Sequence, residues 1–155
     1  MPEDHRVLLC PDAMTPIGEL VARQNAEPVE PLENRSLTKY KLIIDDFGGW
    51  ELFQALLEAL DRIALRHGTD IATVASAWAL DLPGVAAVIV GARSRAHLAS
   101  NLAISELRLT AEDNAAIAAV LARSSEIEGD VYNLERHTTG RHGAIMKYNL
   151  NKGAA

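Results

Sequence analysis

Residues 85–101 read VAAVIVGARSRAHLASN, and this stretch decides the predicted fold. Residues 85–90 are apolar without alternation and rich in β-branched side chains, which is typical of a strand covered on both faces in a parallel sheet. Gly91 ends the run, and residues 92–94 turn the chain into a helix with apolar residues at helical spacing. The stretch therefore predicts a buried strand, a tight turn and a helix in direct succession.

Two amphipathic helices are predicted ahead of this stretch. Apolar residues recur at intervals of three and four from about Trp50 to His67, and Gly68 is well placed to end that helix. Asp70 is a suitable cap for a second helix, which ends close to the Pro83-Gly84 pair. The order of elements is thus helix, helix, strand and helix.

The amino-terminal part of the chain has weaker signals. Residues 7–10 are a short apolar run that predicts a strand ended by a proline, and parts of residues 11–25 have helical spacing. Residues 26–49 contain two prolines and a Gly-Gly pair with little periodicity, which predicts a long surface loop.

The carboxy-terminal part begins with a clear helix signal. Thr110 followed by Asp113 is a capping pair that predicts a helix to about Arg123. Residues 126–155 are polar and contain glycine, so we expect a tail or a loop.

Composition excludes several classes of protein. The 155 residues include 21 acidic and 15 basic side chains, and the net charge of -6 disfavours binding to nucleic acid or to an anionic membrane. Cys10 is the single cysteine, so the chain forms no internal disulfide, as is typical of a reducing compartment. No apolar run approaches the roughly 20 residues of a membrane span. We expect a cytoplasmic protein.

The turn after the predicted strand has the parts of an anion site. Gly91 allows close approach of the backbone, free amides at the following helix start point outward, and Arg93 offers a two-pronged contact to phosphate. The plainer interpretation is that Gly91 only ends the strand and Arg93 is a solvated charge. Local spacing alone favours this plainer interpretation, because short glycine turns are common.

A family resemblance adds to the local signals. Residues 88–102 resemble the cofactor-binding signature of the aldo/keto reductases, in which an apolar strand ends in glycine and an asparagine follows ten residues later. Residues 56–83, 47–50 and 141–148 are similar to other parts of that family, and the similarity extends over about residues 34–151. The resemblance implies an α/β fold: a partial (β/α)8 TIM barrel made of the last two strands with their helices and a carboxy-terminal tail.

The resemblance also implies a cofactor and its contacts. The cofactor expected from the family is NADP(H), with its 2'-phosphate at the turn and its adenosine against the start of the next helix. The residues expected at the 2'-phosphate are Gly91, Ala92, Arg93 and Ser94, and those expected to face the adenosine are His97 and Asn101. Arginine at the turn favours a phosphorylated ribose.

The catalytic groups of the family have no counterparts in these residues. In the family, a tyrosine donates a proton to the carbonyl oxygen as hydride arrives, and a lysine, an aspartate and a histidine accompany it on early barrel strands. We therefore expect no catalytic residue here and no reduction of aldehydes or ketones by the chain alone. Tyr40, Tyr132 and Tyr148 are not expected to substitute, since none follows a predicted strand.

We expect one incomplete domain over residues 1–155. Its parts are a divergent start at 1–29, a barrel-derived strand and helices at 30–125, and the tail or loop at 126–155. Uncovered strand edges and helix faces would invite association, either with a complementary chain that supplies the missing strands or with another copy. The alternative functions are a non-enzymatic nucleotide-binding or helical interaction module, and a poorly folded gene remnant.

Two further groups were weighed as sites. The five histidines are dispersed without ligand spacing, so no metal site is expected. Asp45 and Asp46 are better interpreted as charges in a loop at the start of a helix than as an acid/base pair.

Overall fold

The computed structural model describes Glu27, Leu32, residues 35–91, Arg95, residues 97–125 and residues 131–146. Over that part the chain forms seven α-helices and no strand. They are α1 (Arg35–Phe47), α2 (Trp50–His67), α3 (Ile71–Leu80), α4 (His97–Glu106), α5 (Ala111–Leu121), α6 (Val131–Arg136) and α7 (Arg141–Ala144). Helix α2 lies at the centre and contacts α1, α3 and α5, while α4 packs on α3 and α7 on α1.

Helix α1 corrects the prediction of a long loop over residues 26–49. Leu37 and Ile44 are buried and, with half-buried Tyr40 beside them, recur at intervals of three and four. The prolines that suggested a loop precede the helix and do not interrupt it. Gly48, with a positive φ of 140°, ends the helix.

Helix α2 confirms the prediction for Trp50 to His67. Its buried residues follow a helical pattern: Trp50, Leu52, Phe53, Leu57, Ala59, Leu60, Ile63 and Ala64. Gly68 takes the left-handed conformation predicted for it, with φ 64° and ψ 35°, and its amide donates to a carbonyl of the last turn.

The core consists of two apolar clusters on opposite ends of α2. The first joins α1 to the start of α2, where the ring centroids of Trp50 and Phe53 lie 5.6 Å apart. The second joins α2 to Val74 on α3 and Ile117 on α5, which are 0% and 2% exposed. Burial of these side chains contributes about 1.5–3 kcal/mol each to folding, so the second cluster binds α2, α3 and α5 to one another.

The predicted strand at residues 85–90 is absent from the described structure, and this corrects the α/β fold class. The segment is irregular, and Ile89 is 79% exposed. A β-strand requires a neighbour about 4.8 Å away that accepts its ladder of hydrogen bonds, and the elements around this segment in the described ranges are helices. The described part of the chain is therefore helical, and a partial barrel remains a prediction. The strand predicted at residues 7–10 and the helix within 11–25 lie outside the described residues.

The caps of α3 and α5 agree with their sequence signals. Asp70 accepts a 2.7 Å hydrogen bond from the Thr73 amide at the start of α3. Thr110 and Asp113 form the predicted reciprocal capping box at the start of α5. Both starts are defined by hydrogen bonds that span three residues, which is why the local sequence predicts them.

Helices α6 and α7 lie in the region predicted to be a tail or loop. They are short, and Gly143 of α7 packs so closely against α6 and its following turn that an added Cβ would lie 2.1 Å from the His137 carbonyl oxygen. Backbone contact of this kind gives no apolar periodicity in the sequence, so the pattern of residues 126–155 did not predict these helices. None of the helices described in the structure is long and apolar enough to cross a membrane.

Candidate functional site

A side-chain hydrogen bond connects Gly91 to α4. Asn101 Nδ2 donates a 2.9 Å hydrogen bond to the carbonyl oxygen of Gly91, and both residues are half-buried. The bond joins the end of the irregular segment to the second turn of α4. Two of the six predicted site residues are therefore in direct contact.

The remaining predicted site residues are only partly described. His97 is exposed at the first position of α4, and no described contact links it to Gly91. Ala92, Arg93 and Ser94 lie outside the described residues, so their predicted contacts with a phosphate stay predictions. Helix α4 has ten residues, and the amides of its first turn have no partner within the helix ladder. Such amides are suited to bind an anion.

Helix α4 is held in place by α3, which positions the turn. Thr73 is 1% exposed, and its Oγ1 donates a 3.4 Å hydrogen bond to the carbonyl oxygen of Ser100, next to Asn101. Ile104 is buried. The contribution of Thr73 was not predicted, because a threonine within an apolar helix face carries no signal of its distant partner.

We expect Asn101→Ala to lower the free energy of unfolding by about 1 kcal/mol, because the half-buried Gly91 carbonyl loses its donor. Asn114→Ala is the matched control: Asn114 Nδ2 also donates to a carbonyl, that of Thr110 at 3.1 Å, but at an exposed position. Urea titrations of the two variants measure the difference. Equal losses would show that the Asn101 bond does not stabilise the turn.

A second polar centre lies between α2 and α5. Asp113 is 1% exposed and accepts hydrogen bonds from Arg66 at 2.5 Å, from His67 at 2.8 Å, and from the amide and hydroxyl of Thr110 at 2.9 and 2.8 Å. Burial by itself raises the pKa of Asp113, but the hydrogen bonds from Arg66, His67 and Thr110 outweigh it and hold that pKa well below its usual range.

An aspartate beside a histidine and an arginine suggests acid/base chemistry, but this group is better suited to a structural role. Arg66 donates to Oδ1 of Asp113, and His67 together with the amide and hydroxyl of Thr110 binds Oδ2, so both oxygens have partners in a side chain that is 1% exposed. A general base needs a lone pair within reach of the substrate. Asp113 therefore ties the end of α2 to the start of α5.

The pair Asp45 and Asp46 corrects the expectation of loop charges. Both lie near the end of α1 and are directed to different cations. Asp45 accepts from Lys41 at 2.5 Å, while Asp46 binds Arg141 and His142. Since each carboxylate is already bound to a separate cation, the structure does not support an acid/base pair here.

Lys41 also binds Glu27, at 2.7 Å. Burial lowers the pKa of Lys41, whereas the hydrogen bonds to Asp45 and Glu27 raise it, and the net direction is upward. The ammonium group is thus held in its charged form. The described residues contain no group of three or more side chains that could bind a metal ion.

Tyr40 is the tyrosine whose side chain the structure describes. It is half-buried and packs against the first apolar cluster. That Tyr40 does not replace a catalytic tyrosine stays a prediction. The side chain of Tyr132 and the whole of Tyr148 lie outside the described part.

Comparison with protein families shows where the chain belongs. Residues 13–122, more than half of the 155, match the aldo/keto reductase family. The chain belongs to the aldo/keto reductase family. The matched range includes helices α1 to α5 and all six predicted cofactor residues, and it begins inside the segment 1–29 for which we expected divergence. Aldo/keto reductases bind a dinucleotide and use NAD(P)H.

Comparison with curated proteins and with solved structures gives no significant match. Aldo/keto reductase membership therefore rests on the family match.

Proposed function

We propose that these residues form the part of an NADP-linked aldo/keto reductase that holds the phosphorylated end of the cofactor. The observation that carries the proposal is the hydrogen bond from Asn101 Nδ2 to the Gly91 carbonyl oxygen, 2.9 Å long. It brings together the glycine and the asparagine of the family signature and closes the turn between them. The family match supports the choice of ligand.

Each part of the proposed site has a physical role. Gly91 has no side chain, so a phosphate approaches its backbone closely. The start of α4 directs the positive end of the helix dipole at the anion, although the Leu98 amide already donates a 3.2 Å hydrogen bond to the Arg95 carbonyl oxygen. Arg93 supplies a charged, two-pronged contact to the 2'-phosphate, with Ala92 and Ser94 beside it. His97 and Asn101 face the adenosine.

The proposed fold context is the carboxy-terminal part of a barrel. In that context residues 85–90 become a strand once a neighbouring strand supplies hydrogen-bond partners. The exposed side chains of Ile89, Leu98 and Leu102, which are 79%, 49% and 69% exposed, then have apolar neighbours. We propose that these neighbours come from a complementary chain or from self-association.

In this proposal the chain binds the cofactor but does not by itself reduce an aldehyde or a ketone. The cofactor supplies hydride to a carbonyl carbon in this family, and a tyrosine supplies the proton to the oxygen. Among the described residues, Tyr40 packs against the first apolar cluster. The proposed role is recognition of NADP(H).

We expect NADPH to bind more tightly than NADH, and we expect Arg93→Ala to weaken NADPH binding by about tenfold or more, because a charge-assisted phosphate contact is lost. NADH affinity should change little, since NADH lacks the 2'-phosphate. Fluorescence or calorimetric titrations of both cofactors measure this.

The matched control is Arg95→Ala, which removes the same charge from an exposed position two residues away. A long-range effect of charge would appear in both variants, and a specific contact only in the Arg93 variant. Equal affinity of the wild-type chain for NADPH and NADH would contradict the proposed 2'-phosphate site. A folded monomer without affinity for either cofactor would instead favour a helical interaction module.

Catalytic incompetence has a separate test. The purified chain should not oxidise NADPH at ordinary enzyme rates with aldehydes or quinones as substrates. Turnover at such rates would contradict the expectation that these residues include no catalytic tyrosine. It would not contradict the proposed cofactor site.

A further inference from the structure

The carboxy-terminal strap, defined as residues 131–146 with helices α6 and α7, is attached to α1 by charged groups. Lys39 forms an ion pair with Glu135, and Arg141 and His142 both bind Asp46. Arg141 also donates a 3.2 Å hydrogen bond to the carbonyl oxygen of Leu42.

Asp46 is the centre of this attachment. Its Oδ1 accepts from Arg141, and its Oδ2 binds Nε2 of His142. One carboxylate at the end of α1 therefore holds two consecutive residues of α7. The side chain of His142 is 6% exposed, whereas that of Arg141 is 50% exposed.

The strap contributes little apolar surface to the core. Among those of its residues whose side chains are described, the buried ones are His142 and Gly143. Helix α2, by contrast, buries Trp50, Phe53 and Ile63 together with five other residues. Apolar burial is insensitive to moderate salt, whereas the attraction of a solvent-exposed charge such as that of Arg141 is weakened by it. The attachment of the strap and the packing of the core thus depend on different forces.

Within the strap, α6 and α7 are nevertheless held to each other. The amide of Gly140 donates to the His137 carbonyl at 2.9 Å, and Gly143 packs against the same carbonyl oxygen. These backbone contacts hold α6 and α7 together without help from α1. The strap should accordingly move as one unit.

When the strap is attached to α1, one of its polar atoms is buried without a hydrogen-bond partner. Nδ1 of His142 is buried and has no hydrogen-bond partner among the described residues. A buried polar atom without a partner costs free energy that is recovered when water reaches it. Detachment of the strap would expose this atom and so offset part of the loss of the Asp46 contacts.

From these observations we propose that the strap is an ionic clasp that detaches from α1 as a unit while α2, α3 and α5 stay folded, with Asp46 as the residue that holds it. The clasp is independent of the proposed cofactor site. It provides the protein with a segment whose attachment responds to ionic strength.

Hydrogen exchange of the full chain, read by mass spectrometry, tests the clasp. Raising NaCl from about 0.05 to 0.5 M shortens the screening length severalfold, so exchange in residues 131–146 should accelerate while exchange in α2 and α5 stays constant. Asp46→Asn should accelerate exchange in the strap by roughly tenfold at low salt, because a charge-assisted contact is lost. Arg141→Gln should act in the same direction from the other partner.

Asp45→Asn is the matched control, since it changes the neighbouring carboxylate on the same helix, which binds Lys41 instead of the strap. This variant should leave exchange in the strap at the wild-type rate. The clasp is refuted if Asp46→Asn and Asp45→Asn affect the strap equally. It is also refuted if salt accelerates the strap and α2 in parallel in the wild-type chain, because the two would then unfold together.

Discussion

Replacing Ile63 by Ala is expected to lower the free energy of unfolding by about 3 kcal/mol, within the range measured for large-to-small changes in well-packed cores. Ile63 is 1% exposed and lies in the second apolar cluster with Val74 and Ile117. The change removes apolar surface from the point where α2, α3 and α5 meet. The cavity left behind adds to the loss, because three helices must shift together to close it.

The effect is large relative to the stability of a small domain. Folded domains are stable by about 5–15 kcal/mol, so the loss of one central side chain removes a substantial fraction. Helix α3 carries Thr73, which donates a hydrogen bond to the Ser100 carbonyl oxygen of α4. A loosened second cluster should therefore also reduce the protection of α4 from hydrogen exchange.

Leu65→Ala provides the control for Ile63→Ala. Leu65 lies on the same helix, two residues away, and is 73% exposed. A substitution of this kind at the surface changes stability by about 0.5 kcal/mol or less. Urea titration with an unchanged slope measures both variants. A loss for Leu65→Ala as large as that for Ile63→Ala would show that α2 packs with another face toward the core.

Replacing Asp113 by Asn is expected to lower the free energy of unfolding by about 2–3 kcal/mol, because charge-assisted hydrogen bonds to a buried carboxylate are lost. The amide places donors where Arg66 and His67 also donate. Arg66 is partly solvated, with 48% of its side chain exposed, and its access to water limits the loss. Glu112→Gln makes the same chemical change at the neighbouring exposed position in the first turn of α5, and it should have a much smaller effect.

The contribution of Asp113 also depends on pH in a defined direction. The pKa of Asp113 in the folded chain lies well below its ordinary value of 3.8, so the unfolded chain binds the proton more tightly. The stabilisation is fully present above the unfolded pKa and is lost as the pH falls below about 4 toward the folded pKa. Acid should therefore weaken the connection between α2 and α5.

A comparison of the wild-type chain with Asp113→Asn isolates this effect. The difference in their unfolding free energies should shrink as the pH is lowered from about 6 to about 3, because protonation of the wild-type carboxyl removes the same charge as the substitution. Carboxyl NMR gives the pKa directly. A constant difference over this range, or a titration of Asp113 near 3.8, would contradict the hydrogen-bond network described for it.

The structure describes part of the predicted cofactor site. Residues 91 and 101 were expected at one site, and the structure places them in contact through the Asn101 side chain. The support from Thr73 was not foreseen, because the residues that position a turn are distant from it in the sequence. Ala92, Arg93 and Ser94 lie outside the described residues, and their role is a prediction for the titrations to test.

The amino-acid sequence by itself determined the helices whose ends are set by local hydrogen bonds: α2 with Gly68, α3 with Asp70, and α5 with Thr110 and Asp113. It also determined the aldo/keto reductase family, since the family signature is a pattern of residue types along the chain.

Only the tertiary structure decided the state of residues 85–90 and the partners of Asp46 and Asp113. An apolar segment becomes a strand only when another strand pairs with it, and within the described part of the chain the elements are helices. Asp46 binds residues 95 and 96 positions away, and Asp113 binds residues 47 and 46 positions away. Contacts between residues so far apart in the sequence depend on how the helices pack, so no local sequence pattern predicts them.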